Sequence, residues 1–202
     1  SIVETLSLTI DQAYSRFSRF PKTFRKLEML KRVGLGYLTL GQPLNTLSGG
    51  ESQRLKLIKY MTQMKKGVNP SLLLIDEPTT GLHFQDISKL LDCLREILGT
   101  GHSLLVIEHN PQVLKNADWI FEMGPGAGKK GGRKIADGPP SAFLQINTPT
   151  SLVLKGERER KPEKTQYRRS KFRMRKSIEV LGARENNLKN LSLKIPTNQF
   201  VV

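Results

Sequence analysis

Four apolar residues in succession, Leu72-Leu73-Leu74-Ile75, stop abruptly at Asp76-Glu77-Pro78. A run this short, apolar at every position and closed by acids and a proline, predicts a strand buried on both faces that delivers its acids at the carboxyl end. Ser103-Leu104-Leu105-Val106-Ile107, followed by Glu108-His109-Asn110, repeats the pattern. Between the two runs, Phe84 to Leu98 has helical periodicity and closes on Gly99-Thr100-Gly101. Strand, helix and strand make a βαβ unit, so both strands are expected to be parallel and to end on one sheet edge, with His109 beside Asp76 and Glu77. In an open α/β sheet that edge binds ligands.

The flanking segments follow other periods. Ser1 to Lys31 reads as helical: Thr9 and Gln12 stand in capping-box register, and Ala13, Tyr14, Phe17 and Phe20 form an apolar face up to Pro21. A second helix, Lys22 to Val33, carries Phe24, Leu27 and Leu30 beside Lys22, Arg25, Lys26, Lys31 and Arg32. Those cations are either a solvated face or a contact for a phosphate backbone. Three glycines and a proline make Gly34 to Pro43 a loop. Ser48 and Glu51 form a second capping-box pair, so a helix is expected from Ser48, with Leu55, Ile58, Tyr60 and Met61 on its apolar side.

Ala117 to Met123 predicts a further short strand. Gly124 to Gly132 holds five glycines and is expected to be a loop rather than a phosphate cradle, because no helix opening in Lys-Ser or Lys-Thr follows it. From Asn147 to Ser177 apolar periodicity fails and a linker is expected. Ile178 to Ala183 and Leu188 to Ile195 alternate as antiparallel strands do, and Phe200-Val201-Val202 starts a buried strand.

The 202 residues suffice for one domain with a core and a smaller appendage, and 37% hydrophobic with 25% charged residues is ordinary for a protein in water. No apolar run approaches the roughly 20 residues that span a bilayer, and no signal peptide opens the chain, so a cytoplasmic location with no membrane partner is expected. The formal net charge of +15 favours a polyanionic partner, although eleven basic against three acidic residues fall between Lys155 and Lys176. The single cysteine, Cys93, has no partner for an internal disulfide and lies in a helical pattern, where it reads as a small core residue.

Candidate chemistry sits at the strand ends and at one helix start. An acid just past a buried strand can hold Mg²⁺ against nucleotide phosphates, and the next can orient or deprotonate a water, which assigns Asp76 to the metal and Glu77 to the water. The plainer alternative is a strand that ends in a charged turn. Gly49 and Gly50 cost a first helical turn about 1 kcal/mol each against alanine, a cost that makes sense where a ligand must reach the backbone. Ser48, Gly49 and Gly50 then form a phosphate receptor, or else a plain cap. His109 can hydrogen-bond a terminal phosphate, or be structural.

Leu47-Ser48-Gly49-Gly50-Glu51, a buried strand ending in Asp76-Glu77, and a strand ending in His109 occur in the order found in ATP-binding-cassette ATPases. The spelling of Val33 to Tyr37, Leu40 to Pro43, Thr46 to Arg54, Asp76 to His83 and Val106 to Asn110 resembles the UvrA family, the damage-recognition ATPases of bacterial nucleotide excision repair. Gly182 to Asn190, within Ile178 to Val202, resembles the opening of another cassette of that family.

The resemblance implies an α/β fold: the carboxyl half of a cassette over residues 1–146, with a parallel sheet and flanking helices, a basic linker over 147–177, and the first antiparallel strands of a following cassette over 178–202. It implies that Ser48, Gly49 and Gly50 contact the γ-phosphate of ATP bound mainly by another cassette, with Gln53, Thr80 and Gly81 in the nucleotide-binding set. Asp76 becomes the Walker B acid and Mg²⁺ ligand, Glu77 the general base, Thr79 to His83 the D-loop and His109 the switch histidine.

The sequence departs from the family in two respects. No Gly-x-x-x-x-Gly-Lys-Ser/Thr is present, and the family's zinc-binding cysteines are absent. A fragment of a longer ATPase, inactive alone, is therefore expected. The partners implied are damaged double-stranded DNA, the B component of the excinuclease, and a tandem or self-associated cassette that completes a composite ATP site. The competing readings are the nucleotide-binding component of a membrane transporter and a non-enzymatic basic module that binds nucleic acid.

Overall fold

A computed structural model describes residues 1–63, 70–156 and 177–202. In chain order its elements are α1 (Ile2–Ser7), α2 (Ile10–Arg16), α3 (Pro21–Arg32), α4 (Gly49–Gln63), β1 (Leu72–Asp76), α5 (Phe84–Gly99), β2 (Ser103–Ile107), α6 (Pro111–Asn116), β3 (Ile120–Gly124), β4 (Arg133–Gly138), α7 (Pro140–Phe143), α8 (Pro149–Gly156), β5 (Ser177–Ala183), β6 (Leu191–Pro196) and β7 (Phe200–Val201). They divide into two compact units, Ser1–Lys65 with Asp76–Glu96, and Lys66–Ile75 with Ile97–Val202. The mixed α/β fold is the one expected. Among the described residues no helix is long and apolar enough to cross a membrane.

The first unit is helical. The expected capping box at Thr9 forms, the Thr9 hydroxyl accepting from the Gln12 N–H while the Gln12 side chain accepts from the Thr9 N–H. Ser1 and Glu4 cap α1 in the same way, and Pro21 starts α3 in the first turn, where no N–H is needed. The apolar faces of α2 and α3 meet in a core of Ile10, Ala13, Leu27, Val33 and Leu35, with Cys93 among them. Burial pushes the Cys93 thiol up to about 11, as expected of an inert core cysteine. Two of the α3 cations are committed to ion pairs, Lys31 with Asp11 at 2.9 Å and Arg32 with Glu96.

The second unit is built on a three-stranded sheet in the order β1-β2-β7. β7 runs parallel to β2, with Leu104 opposite Phe200 and Leu105 opposite Val201. On its other side the β7 segment meets the approach to β3: Phe200 O accepts from Asp118 N at 2.7 Å, Val202 N donates to Trp119 O at 2.9 Å, and Phe121 N donates to Val202 O at 2.6 Å. Two side chains pin its start. The Asp118 carboxylate accepts from Phe200 N at 2.9 Å and the Ser103 hydroxyl accepts from Asn198 N at 2.7 Å. Phe200 and Val201 are consequently buried with Leu104, Val106, Val113 and Ile120.

Antiparallel pairs β3·β4 and β5·β6 complete the unit. Their turns touch, since Asn187 Nδ2 donates to Gly128 O at 2.9 Å and Lys189 N donates to Gly132 O at 2.8 Å. Gly132 permits this: its φ is +81°, and a β-carbon there would lie 1.8 Å from Asn187 O.

The structure corrects three sequence-based expectations. The strand expected to be buried on both faces is buried on one: Leu73 and Ile75 of β1 are covered, whereas Leu74 of β1 and Ile107 of β2 are 70% and 63% exposed. Successive strand side chains point to opposite faces, so an apolar run does not reveal whether both faces are covered. Tyr60, placed on the apolar side of α4, is exposed; the buried stripe there is Gly50, Arg54 and Leu57. Lastly, the stretch expected to be linker from Asn147 opens with α8. Thr148 and Ser151 cap each other there, Leu154 is buried, and Glu122 accepts from the Thr150 N–H at 3.0 Å. The basic run from 157 to 176 lies outside the described residues.

The second unit should respond to pH through His102. This residue is buried and its Nδ1 accepts from the Ser71 N–H at 3.1 Å, so the ring is held neutral and burial lowers its pKa. The unfolded chain binds the proton more readily, so this contribution is complete above about pH 6.5 and is lost as pH falls through the depressed native value. Melting temperature should therefore drop between pH 7 and pH 5, and less steeply in His102→Gln, which keeps an acceptor but does not titrate. Gly132→Ala should destabilise by roughly 2 kcal/mol in urea unfolding, because it combines a strained backbone with a collision against Asn187 O.

Candidate functional site

The site grows from the first turn of α4. The Ser48 hydroxyl accepts from the Glu51 N–H at 3.2 Å and the Glu51 carboxylate accepts from the Ser48 N–H at 2.6 Å, so the capping box expected from the sequence is made. Tyr37 donates its hydroxyl proton to the other oxygen of Glu51. Ser48 and Gly49 are exposed, and a β-carbon on Gly49 would meet nothing within 4 Å. The capping box takes up the N–H groups of Ser48 and Glu51, and those of Gly49 and Gly50, in the first turn, have no main-chain acceptor within the helix, which leaves a positively polarised helix end.

Gly50 has the opposite surroundings. A β-carbon there would lie 2.7 Å from Thr80 O and 3.1 Å from Arg54 Nη1, so the missing side chain lets the turn after β1 close onto the helix. Arg54 is fully buried, and its Nη1 donates to Pro78 O at 3.1 Å and to Thr80 O at 2.9 Å. Its Nε and Nη2 have no hydrogen-bond partner. Burial lowers the Arg54 pKa, opposed by Tyr37 and Glu51. The Glu51 carboxyl is held down by the Tyr37 hydroxyl and Ser48, and the Tyr37 hydroxyl is pushed up by burial and by its bond to Glu51.

The turn so held is the one that carries the candidate acids. Asp76 is the exposed last residue of β1, and Glu77 follows it with φ +42°. Among the described residues the other non-glycine positions with positive φ are Asn186, Asn190 and Asn198, of the type that tolerates the left-handed region. Glutamate does not favour it, so backbone strain sits at the proposed base. Thr80 donates its N–H to Glu77 O at 3.2 Å and its hydroxyl to the Glu77 carboxylate at 3.3 Å, and Gly81 turns the chain at φ +75°.

The structure thus gathers Ser48, Gly49, Gly50, Glu77, Thr80 and Gly81 in the first unit, with Gln53 half-buried on α4. His109 belongs to the second unit and is exposed two residues beyond β2. There Glu108 accepts from the N–H groups of His109 and Asn110, and Asn110 caps α6 through the Gln112 N–H.

Sequence reasoning gave no role to Arg54 or Tyr37. The available signal was the position of Arg54, four residues after Gly50 and three before Leu57, a charge inside a helical apolar stripe. Among the described residues no group of three or more His, Cys, Asp or Glu side chains could hold a metal ion. One exposed carboxylate at a strand end, such as Asp76, fits Mg²⁺, which keeps several waters and takes other ligands from phosphate oxygens.

The chain is 51% identical over 145 residues to UvrABC system protein A of Helicobacter pylori, a match covering 72% of this chain and 15% of that protein. It is 48% identical over 145 residues to UvrABC system protein A of Aquifex aeolicus, again over 72% of this chain and 15% of the relative. With that of Thermus thermophilus it shares 44% over 154 residues, covering 76% and 16%. The chain therefore spans less than a fifth of the length of these relatives. The crystal structure of UvrA2 from Deinococcus radiodurans superposes with a TM-score of 0.66 at 39% identity, covering 77% of this chain and 19% of the other. No model of a known protein family matches the chain. Over the part of their length that it spans, the chain is similar in sequence and fold to these UvrA proteins.

Proposed function

We propose that this chain is part of an ATPase of nucleotide excision repair, in which ATP binding and hydrolysis are coupled to recognition of damaged double-stranded DNA and to loading of the B component of the excinuclease. The observation that supports it most directly is the closure of the α4 first turn onto the turn carrying Glu77, with only 2.7 Å between Thr80 O and the point a Gly50 β-carbon would occupy. One rigid surface then presents backbone N–H donors beside a strained carboxylate.

In this reading Ser48, Gly49 and Gly50 offer hydroxyl and N–H donors to the γ-phosphate of ATP held mainly by another cassette, and Gln53, Thr80 and Gly81 border that surface. Asp76 holds Mg²⁺, which neutralises charge on the phosphate oxygens when bound. Glu77 accepts the proton of the attacking water, and His109 donates a hydrogen bond to the terminal phosphate. Such a site works by positioning and electrostatics. The longer protein acts in the cytoplasm on DNA and brings two cassettes together to complete each ATP site.

The test is steady-state ATP turnover by the longer polypeptide expected to carry this chain, with and without ultraviolet-damaged duplex. Glu77→Gln should leave ATP binding within about twofold and lower kcat by roughly a hundredfold or more, the scale of lost general-base catalysis. Turnover unchanged by the substitution removes Glu77 from its role. Turnover indifferent to damaged DNA favours a transporter-type cassette.

A further inference from the structure

We infer that Arg54 is a positioning residue for ATP hydrolysis, the internal tie that holds the Glu77 turn and the phosphate-facing first turn of α4 as one piece. The inference rests on the reading above and adds a residue to it.

Arg54 is fully buried and spends one nitrogen, Nη1, on two carbonyls of the same turn, Pro78 O at 3.1 Å and Thr80 O at 2.9 Å. Those carbonyls bracket Thr79 and follow Glu77 directly in the chain. The same nitrogen lies 3.1 Å from where a Gly50 β-carbon would be, so the tie passes beneath the first turn of α4. A charged, doubly shared donor in a water-poor setting is a strong restraint, and its loss leaves two carbonyls without their partner.

A buried cation with no carboxylate among the described residues salt-bridged to it is a poor way to stabilise a fold, since an apolar residue of similar volume is often as good or better. The position is therefore better explained by the geometry it enforces. Glu77 is that geometry's beneficiary: at φ +42° its backbone is strained, and the turn would relax if released. Tyr37 and Glu51 hold the other end, because the Tyr37 hydroxyl bonds Glu51 while Glu51 caps Ser48. Arg54 is itself fully buried and its hydrogen bonds go to main-chain carbonyls, so it acts through its neighbours and not on nucleotide.

The test compares four variants of the longer polypeptide in steady-state ATP turnover, with melting temperature measured alongside. Arg54→Met should lower kcat at least about tenfold while KM for ATP stays within about twofold, because a misplaced base weakens the transition state and spares ground-state binding. Arg54→Lys retains a donor for the two carbonyls and should recover most of that loss. Gly50→Ala, which pushes Thr80 O away from the helix and crowds Arg54 Nη1, disturbs the same tie from its other side and should reproduce the selective fall in kcat. Glu77→Gln is the reference. If it leaves turnover unchanged, the proposed function fails and Arg54 loses its role with it. If Glu77→Gln stops turnover but Arg54→Met does not, the Arg54 inference alone is overturned. It is likewise overturned if both Arg54 variants lose turnover equally, in step with melting temperature, while Gly50→Ala turns over normally.

Discussion

The first unit depends on a close approach that only a missing side chain allows. Thr80 O occupies the space that a β-carbon on Gly50 would take, and the Arg54 guanidinium, about one helical turn further along, fastens the same carbonyl from inside. Each part makes the other intelligible. Without glycine the turn could not reach the helix; without the buried donor the carbonyls of Pro78 and Thr80 would lose the side-chain partner they share. The exposed features of the site, the Ser48 cap, the open Gly49 surface and the acids after β1, are displayed on a junction whose rigidity comes from beneath.

Much of this was legible in the sequence because it is local. Both capping boxes, at Thr9 and at Ser48, follow from a hydroxyl residue and a Gln or Glu three positions on, and both form. The runs ending at Asp76 and Ile107 marked their strands, and the periodicity between them marked α5. What stayed hidden depends on partners remote in sequence. The covering of one sheet face but not the other cannot be read from Leu72-Leu73-Leu74-Ile75, whose four residues look alike. Nor does a charge at position 54 announce that it will be buried, since its acceptors are main-chain atoms whose identity in the sequence is irrelevant. The small helix α8 was missed because a basic stretch follows it and masked a Thr148/Ser151 cap.

The site draws more on main chain than on side chains. Its proposed donors toward an anion are N–H groups of a helix end, its tie ends on carbonyls, and its strain lies in a φ angle of +42°. Such an arrangement tolerates variation in flanking side chains as long as glycine stands at 50 and a long donor at 54. It also concentrates vulnerability: changes that alter backbone shape at a few points should matter more than changes of surface charge.

The insertion of β7 has a consequence of another kind. Its neighbours are β2, about a hundred residues earlier, and the Asp118 to Phe121 segment, some eighty earlier, so a strand with partners on both sides follows them at long range in chain order. During synthesis from the ribosome, β2 and the approach to β3 must wait with an unfilled gap between them, their N–H and C=O groups unpaired and Leu104 and Ile120 uncovered. A gap of that shape accepts any extended apolar strand, including one from a neighbouring nascent chain. Closing such a long loop costs entropy before the contacts of β7 repay it, which makes this pairing slow to form beside the local helices of the first unit.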